Sequence, residues 1–152
     1  MSSIAEVRPV RPRHQARVAP SALALLESAR QGLAAAEDES TAGARYVGAH
    51  LAALRAAAAV VAARAEPPSS RRRRPQSVWE LLPKVEPALV EWAAFFAASA
   101  AKRAAAEAGL PRAVSPREAD DLLRDAGTFV SLAEGALGIT GGQQPLPLLT
   151  AG

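Results

Sequence analysis

The chain has 152 residues, which suits one domain with an ordinary core. Hydrophobic residues make up 49% of it and aromatic residues only 4%, and much of the apolar share is alanine, the strongest helix former. The absence of cysteine excludes disulfides and thiolate metal sites. The net charge of +3 weakly favours an acidic partner such as nucleic acid, although arginine is the ordinary cation in a chain rich in Ala, Arg, Pro and Gly.

The two ends of the chain lack a helical pattern. Residues 1–19 carry prolines and arginines without periodicity, so we expect a disordered basic arm there, and residues 139–152 read as a flexible tail. No secretory leader pattern is present, and no segment reaches the roughly 18 apolar residues of a membrane span. We therefore expect a cytoplasmic protein that does not contact a membrane.

The first half of the domain predicts two helices. One is expected near 21–36 with Ser21 as its cap, and the second near 41–65, beginning at Ser40 or Thr41. The buried face of the second helix is predicted from the spacing of its larger apolar residues, which are Val47, Leu51, Leu54, Ala58 and Val61. The segment EPPSSRRRRP that follows predicts a basic loop over 66–76.

The second half predicts a short helical turn near 78–82 and two longer helices near 87–108 and 116–137. SVWE from Ser77 and SPRE from Ser115 both match the capping box, in which a serine and a glutamate three residues later bond each other's backbone N–H. Gly109 and Gly138 are placed to end the longer helices. The elements together predict an all-α, antiparallel four-to-five-helix bundle over residues 20–138.

Most catalytic signatures are missing from the sequence. It contains no P-loop, dinucleotide fingerprint, HExxH or GxSxG, so no cofactor is expected. Glu118, Asp120 and Asp121 fall in the first turn of a helix, where carboxylates complement the helix dipole, and no metal site is expected there. The aromatic residues have helical core spacing and are expected in the core: Trp79, Trp92, Phe95 and Phe96.

Four consecutive arginines are the most basic feature of the predicted loop: Arg71, Arg72, Arg73 and Arg74. Such a run can neutralise phosphates of a nucleic acid, with an affinity that falls as salt rises. A solvated loop in an arginine-rich chain explains the same run. The two interpretations stay open at this point.

Arg45 and His50 are the residues with the clearest chemical meaning. A histidine near neutral pKa can take a proton from a ribose 2′-hydroxyl or give one to the leaving oxygen, and an arginine can hold the scissile phosphate. Five residues at about 100° each place the two side chains about 140° apart around a helix. The spacing is common by chance, since Arg8 also precedes His14, and a histidine at the boundary of the core is the alternative interpretation.

Three stretches carry a family resemblance: ARYVGAHLAALRAAAAVVAARA, SVWELLPKVEPALVEWAAFFAASAAKRAAAEAG and VSPREADDLLRDAGTFVSLAEGALG, which together cover about 40–138. In them the chain resembles an actinobacterial family of HEPN domains (higher eukaryotes and prokaryotes nucleotide-binding). The resemblance implies a small helical bundle, often a homodimer, and in many members a metal-independent endoribonuclease. It assigns Arg45 and His50 to the family's Arg–x4–6–His motif, with Tyr46 where active members commonly have a polar residue.

Two functions follow as hypotheses. The first is a HEPN domain that cuts or binds RNA or a nucleotide, with His50 as acid–base and Arg45 as phosphate clamp. The second is a non-catalytic, dimeric interaction module that serves as a scaffold or as the partner of another protein. An RNA-cleavage assay of the pure protein beside His50→Ala would separate them.

Overall fold

The computed structural model describes residues 18–64 and 76–139, which form five α-helices. They are α1 (Pro20–Glu37), α2 (Ala42–Arg64), α3 (Val78–Val85), α4 (Val90–Glu107) and α5 (Pro116–Ala136), with a 3₁₀ turn, Pro87–Leu89, between α3 and α4. No strand occurs in these residues. The prediction of an all-α helical bundle is therefore confirmed.

α2 is the central helix and packs against each of the other four. Gly48 faces Ala36 and Gly32 faces Ala52, so α1 and α2 run antiparallel. α2 and α5 run in the same direction, because Arg45 pairs with Asp120 near their starts and Arg64 donates to the Ala136 carbonyl oxygen at their ends. Because four helices surround α2, its residues from 42 to 61 are all buried or half-buried.

The predicted helix starts are only partly confirmed. Ser115 and Glu118 form the full capping box, with N–H···O distances of 3.1 and 3.2 Å. Ser77 accepts from the Glu80 N–H at 3.3 Å, but no return bond from the Glu80 side chain is found in the described residues. The prediction that Ser21 caps α1 is wrong. The helix begins at Pro20, and a proline is tolerated there because the first N–H groups of a helix have no partner within it.

Both predicted stop glycines have left-handed backbones, with φ of 72° at Gly109 and at Gly138. After α4, the N–H of Leu110 bonds the carbonyl of Ala105 at 3.2 Å, and the Gly109 N–H bonds Ala106 at 3.0 Å. α5 ends with the same paired pattern. These are Schellman motifs, and they close both helices where the glycines predict.

α3 is longer than the predicted turn at 78–82 and extends to Val85. Pro83 lies inside it, yet the last turn closes because the Glu86 N–H bonds the Leu82 carbonyl at 2.8 Å. Pro87 then starts the 3₁₀ turn that leads into α4. The predicted single helix from residue 87 is thus a 3₁₀ turn followed by an α-helix.

The buried face of α2 differs from the predicted one. The five predicted residues (Val47, Leu51, Leu54, Ala58 and Val61) are all only half-buried. The residues of α2 that are fully covered are Tyr46, Ala49, His50, Ala52, Ala53, Ala56, Ala57, Ala59 and Val60. Alanine occupies the close helix–helix contacts because small side chains let backbones approach, while larger apolar residues fill the flanks.

α2 is also long and apolar enough to cross a membrane by length and composition, with 23 residues and a mean hydropathy of 1.5. Half of the 18-residue stretch that meets this criterion is buried inside the protein, and four helices pack around α2. A core helix of a soluble protein passes the same test, so this is weak evidence for a membrane span.

Candidate functional site

His50 lies in the centre of the core and is only 1% exposed. Its ring meets Trp79 of α3 and Phe96 of α4 edge to face, with centroids 6.0 Å apart in both pairs. Trp79 and Phe96 in turn stack on each other at 5.2 Å. The histidine is therefore one member of an aromatic cluster that joins α2, α3 and α4.

The hydrogen bond of His50 shows that one ring nitrogen, Nε2, carries a proton. Nε2 lies 3.0 Å from the carbonyl oxygen of Phe96, and a carbonyl only accepts, so Nε2 carries the proton. In the neutral ring Nδ1 then has a free lone pair, and this atom is buried with no hydrogen-bond partner among residues 18–64 and 76–139. Burial lowers the pKa of His50 below the ordinary 6.5; the Phe96 bond opposes this shift, Arg103 adds a smaller lowering effect and Glu107 a smaller raising one. Burial therefore favours the neutral ring.

Arg45 lies at the edge of the bundle and makes two contacts with other segments. Its Nε is 3.1 Å from Oδ1 of Asp120, an ion pair that is not aligned as a hydrogen bond. Its terminal nitrogen donates to the carbonyl oxygen of Glu39 at 3.0 Å. The side chain is 17% exposed and Asp120 is 65% exposed. Arg45 thus ties the start of α2 to the start of α5.

The structure does not bring Arg45 and His50 into a shared groove. A catalytic His50 must reach solvent, and this requirement is not met in the described protomer, where the ring is enclosed by α2, α3 and α4. The boundary position inferred from the helical pattern is also wrong, because His50 faces the core directly. The other candidate residues, Arg71, Arg72, Arg73 and Arg74, lie outside the described residues.

The acidic residues at the start of α5 have structural partners. Glu118 completes the capping box and pairs with Lys102 of α4, a contact that lowers the pKa of Glu118 and raises that of Lys102. Asp120 pairs with Arg45, and Asp121 lies 3.3 Å from Arg124. Within residues 18–64 and 76–139, no three acidic or histidine side chains are grouped as a metal site requires.

The aromatic residues divide into two groups. Trp79 and Phe96 are buried as predicted, but Phe95 is 42% exposed and Trp92 is half-buried, so the prediction is wrong for Phe95. Consecutive residues of a helix are turned by about 100°, and Phe96 already faces inward. The helical phase of α4 could have identified Phe95 as an outward residue.

Two open grooves mark the surface of the described protein. The first, of about 340 Å³, lies between α4 and α5 and is lined by Glu91, Trp92, Phe95 and Asp125. We call it the α4–α5 groove. Sequence reasoning missed it, because its walls come from two helices whose relative position no local pattern gives.

The second groove, of about 760 Å³, lies where the start of α2 meets the connection between α4 and α5. Its lining includes Gly43 and Gly48, and Arg112 on its rim has a left-handed backbone with φ of 67°. Leu110, 58% exposed, forms part of the same rim.

One comparison with known proteins gave a match. The sequence model of the SAV_6107-like HEPN family matches residues 35–134, which is about two thirds of the chain and includes Arg45, His50 and most of the bundle. Comparisons with curated proteins and with solved structures gave no significant match. On the strength of the family match, the chain belongs to the SAV_6107-like HEPN family.

Proposed function

We propose that this HEPN domain is a non-catalytic interaction module in which His50 has a structural role. The observation that carries the proposal is the position of His50, 1% exposed and bonded through Nε2 to the Phe96 carbonyl oxygen. A general base must come within hydrogen-bond reach of the proton that it removes. In this packing the free lone pair, on Nδ1, is buried where a ribose hydroxyl does not enter.

The electrostatics of the site support the same proposal. Burial lowers the pKa of His50, which disfavours the charged imidazolium that a histidine must form to act as a general acid near neutral pH. Arg45 has its guanidinium between Asp120 and the Glu39 carbonyl. A phosphate would have to compete with both contacts to bind there.

The second candidate function is a metal-independent endoribonuclease that uses Arg45 and His50, with Arg71, Arg72, Arg73 and Arg74 as further RNA contacts. The family's motif spacing on α2 favours it. It requires that α3 and α4 move away from His50, because their aromatic side chains enclose the ring.

We further propose that the module is a homodimer. Alanines account for half of the buried apolar residues in the described part of the chain, and alanine buries little area per residue. A two-fold interface would add burial by pairing one patch with its copy. Sedimentation at micromolar concentration tests this, and a protein that stays entirely monomeric would contradict it.

RNA cleavage tests the lack of catalysis. Wild type, Arg45→Ala and His50→Gln are incubated with structured and unstructured RNA in EDTA, and products are analysed for 2′,3′-cyclic phosphate ends. We expect no cleavage by wild type beyond that of the two variants. Cleavage that both variants lose, while circular dichroism shows them folded, would support the ribonuclease instead.

Asp120→Asn is the matched control for Arg45→Ala. It weakens the same α2–α5 ion pair and leaves the arginine in place. An RNA activity lost in Arg45→Ala but kept in Asp120→Asn would assign Arg45 to the reaction and not to packing.

A further inference from the structure

We propose that the α4–α5 groove binds the cationic side chain of an arginine-bearing, basic segment of a partner protein. The inference rests on the proposed function as an interaction module and names the surface and the chemistry of the partner. It does not involve His50 or Arg45, which lie in other parts of the bundle.

The two aromatic walls have the geometry for a cation. The rings of Trp92 and Phe95 stand at 81° to each other with centroids 6.2 Å apart. Trp92 packs against two core residues, Phe96 and Phe129, with ring centroids 6.1 and 5.9 Å away. This packing holds the indole ring in place. A guanidinium stacks favourably on such faces, because the ring quadrupole attracts a positive charge.

Among the residues that the structure describes, the two carboxylates of the groove have no close ion pair. Glu91 forms no ion pair with any residue in 18–64 or 76–139. Asp125 has only a distant contact, 3.9 Å from Nε of Arg124, and Arg124 is 68% exposed and lies closer to Asp121. Surface pairs of this kind contribute little, so both carboxylates can accept a bidentate arginine from outside.

The charge of the groove is opposite to that of the whole chain. The chain carries a net charge of +3, yet the polar residues lining this groove are both acidic. The volume of about 340 Å³ accommodates one long side chain with its flanking backbone and not a whole helix. Charge complementarity therefore identifies the occupant as a short basic segment that inserts one arginine.

The probe is a fluorescein-labelled octapeptide of alternating glycine and arginine, titrated with the full chain at low and at physiological salt. Binding is read by fluorescence anisotropy and by the NMR signal of the Trp92 indole N–H. We expect saturable binding that weakens about fivefold or more in Phe95→Ala and in Glu91→Gln/Asp125→Asn. The same peptide with citrulline in place of arginine, which keeps the shape and removes the charge, should not bind.

Two variants outside the groove serve as matched controls. Leu132→Ala removes an apolar side chain with the same 42% exposure as Phe95, and Glu27→Gln removes an exposed carboxylate on α1. Both should bind the arginine peptide as wild type does. Equal affinity of Phe95→Ala and wild type, or equal binding of the citrulline peptide, would overturn the proposal.

The chain's own arginines are the competing occupant. If changing Arg71, Arg72, Arg73 and Arg74 together to alanine moves the Trp92 signal in the absence of peptide, the groove is filled by the chain itself, and the assignment to a partner is wrong. No change supports the partner. Peptide binding tests only the groove, whereas RNA cleavage tests the proposed function, so a negative result for one proposal leaves the other standing.

Discussion

His50 on α2 donates its Nε2–H to the carbonyl oxygen of Phe96 on α4, 46 residues further along the chain, over a distance of 3.0 Å. This bond is a contact between two helices in the buried core, with Trp79 of α3 against the same ring. The histidine that the resemblance to HEPN domains assigns to the Arg–x4–6–His motif therefore contacts both α3 and α4 from α2.

His50→Ala should destabilise the protein by about 2–4 kcal/mol, because it leaves a cavity among aromatic rings and an unpaired Phe96 carbonyl. His50→Gln should cost less, since the glutamine amide can still donate a hydrogen bond. Urea denaturation of the three proteins measures the free energies of unfolding. A loss below about 0.5 kcal/mol for His50→Ala would be that of a surface residue and would contradict the burial.

The stability should depend on pH through the same residue. Burial lowers the pKa of His50 in the folded state, so the folded protein binds fewer protons than the unfolded chain, whose histidine has the ordinary value of 6.5. The stability contribution of His50 is therefore fully present above pH 6.5 and is lost as the pH falls through the folded-state pKa. Urea midpoints at pH 7.5 and 5.0 measure it, and His50→Gln should lose less between them.

The ion pair between Arg30 of α1 and Glu134 of α5 should be sensitive to the loss of one partner. The Glu134 side chain is 9% exposed and that of Arg30 41%, and Nε of Arg30 lies 3.2 Å from a carboxylate oxygen. Arg30→Ala should cost about 1–3 kcal/mol, less than for a fully buried pair because solvent screens the arginine.

The double variant Arg30→Met/Glu134→Leu should be more stable than Arg30→Ala, because it leaves no buried charge unpaired. Thermal unfolding of wild type, Arg30→Met, Glu134→Leu and the double variant forms a double-mutant cycle. Strictly additive effects in this cycle would show that the two side chains do not interact.

The fold class and several helix ends were predictable, because the signals for these helix ends are local. Ser115 with Glu118 at the start of α5, and Gly109 and Gly138 at two helix ends, specify backbone geometry within a few residues. α5 also has a regular buried face, which includes Leu122, Ala126, Phe129 and Val130.

The buried face of α2 was not predictable from its own sequence. The alanines of α2 are spread around the whole helix, so their spacing does not show which side is buried. The larger residues Val47 and Leu51 predicted a face that is only half-buried. Only the packing of four other helices around α2 reveals that Ala49, Ala53 and His50 face the core. The α4–α5 groove was missed for a related reason, since it depends on where two helices meet.

Substitution by alanine should have opposite effects on stability at Gly48, where α1 and α2 approach closely, and at Gly127, which lies on an open side of α5. A Cβ at Gly48 would lie 3.0 Å from the Cβ of Ala36, so Gly48→Ala should separate the two helices and cost about 1–3 kcal/mol. A Cβ at Gly127 meets nothing within 4 Å, so Gly127→Ala should stabilise α5 by about 0.5–1 kcal/mol. Two thermal melts check the difference in sign.

An NMR titration of the His50 ring, with and without an RNA oligonucleotide, tests the central claim most directly. The structural role predicts a midpoint below 6.5 and ring signals that do not shift when RNA is added, because the ring is enclosed and held neutral. A midpoint at or above 6.5, together with a shift of the His50 signals on adding RNA, would contradict the account and place the histidine in an RNA-binding site.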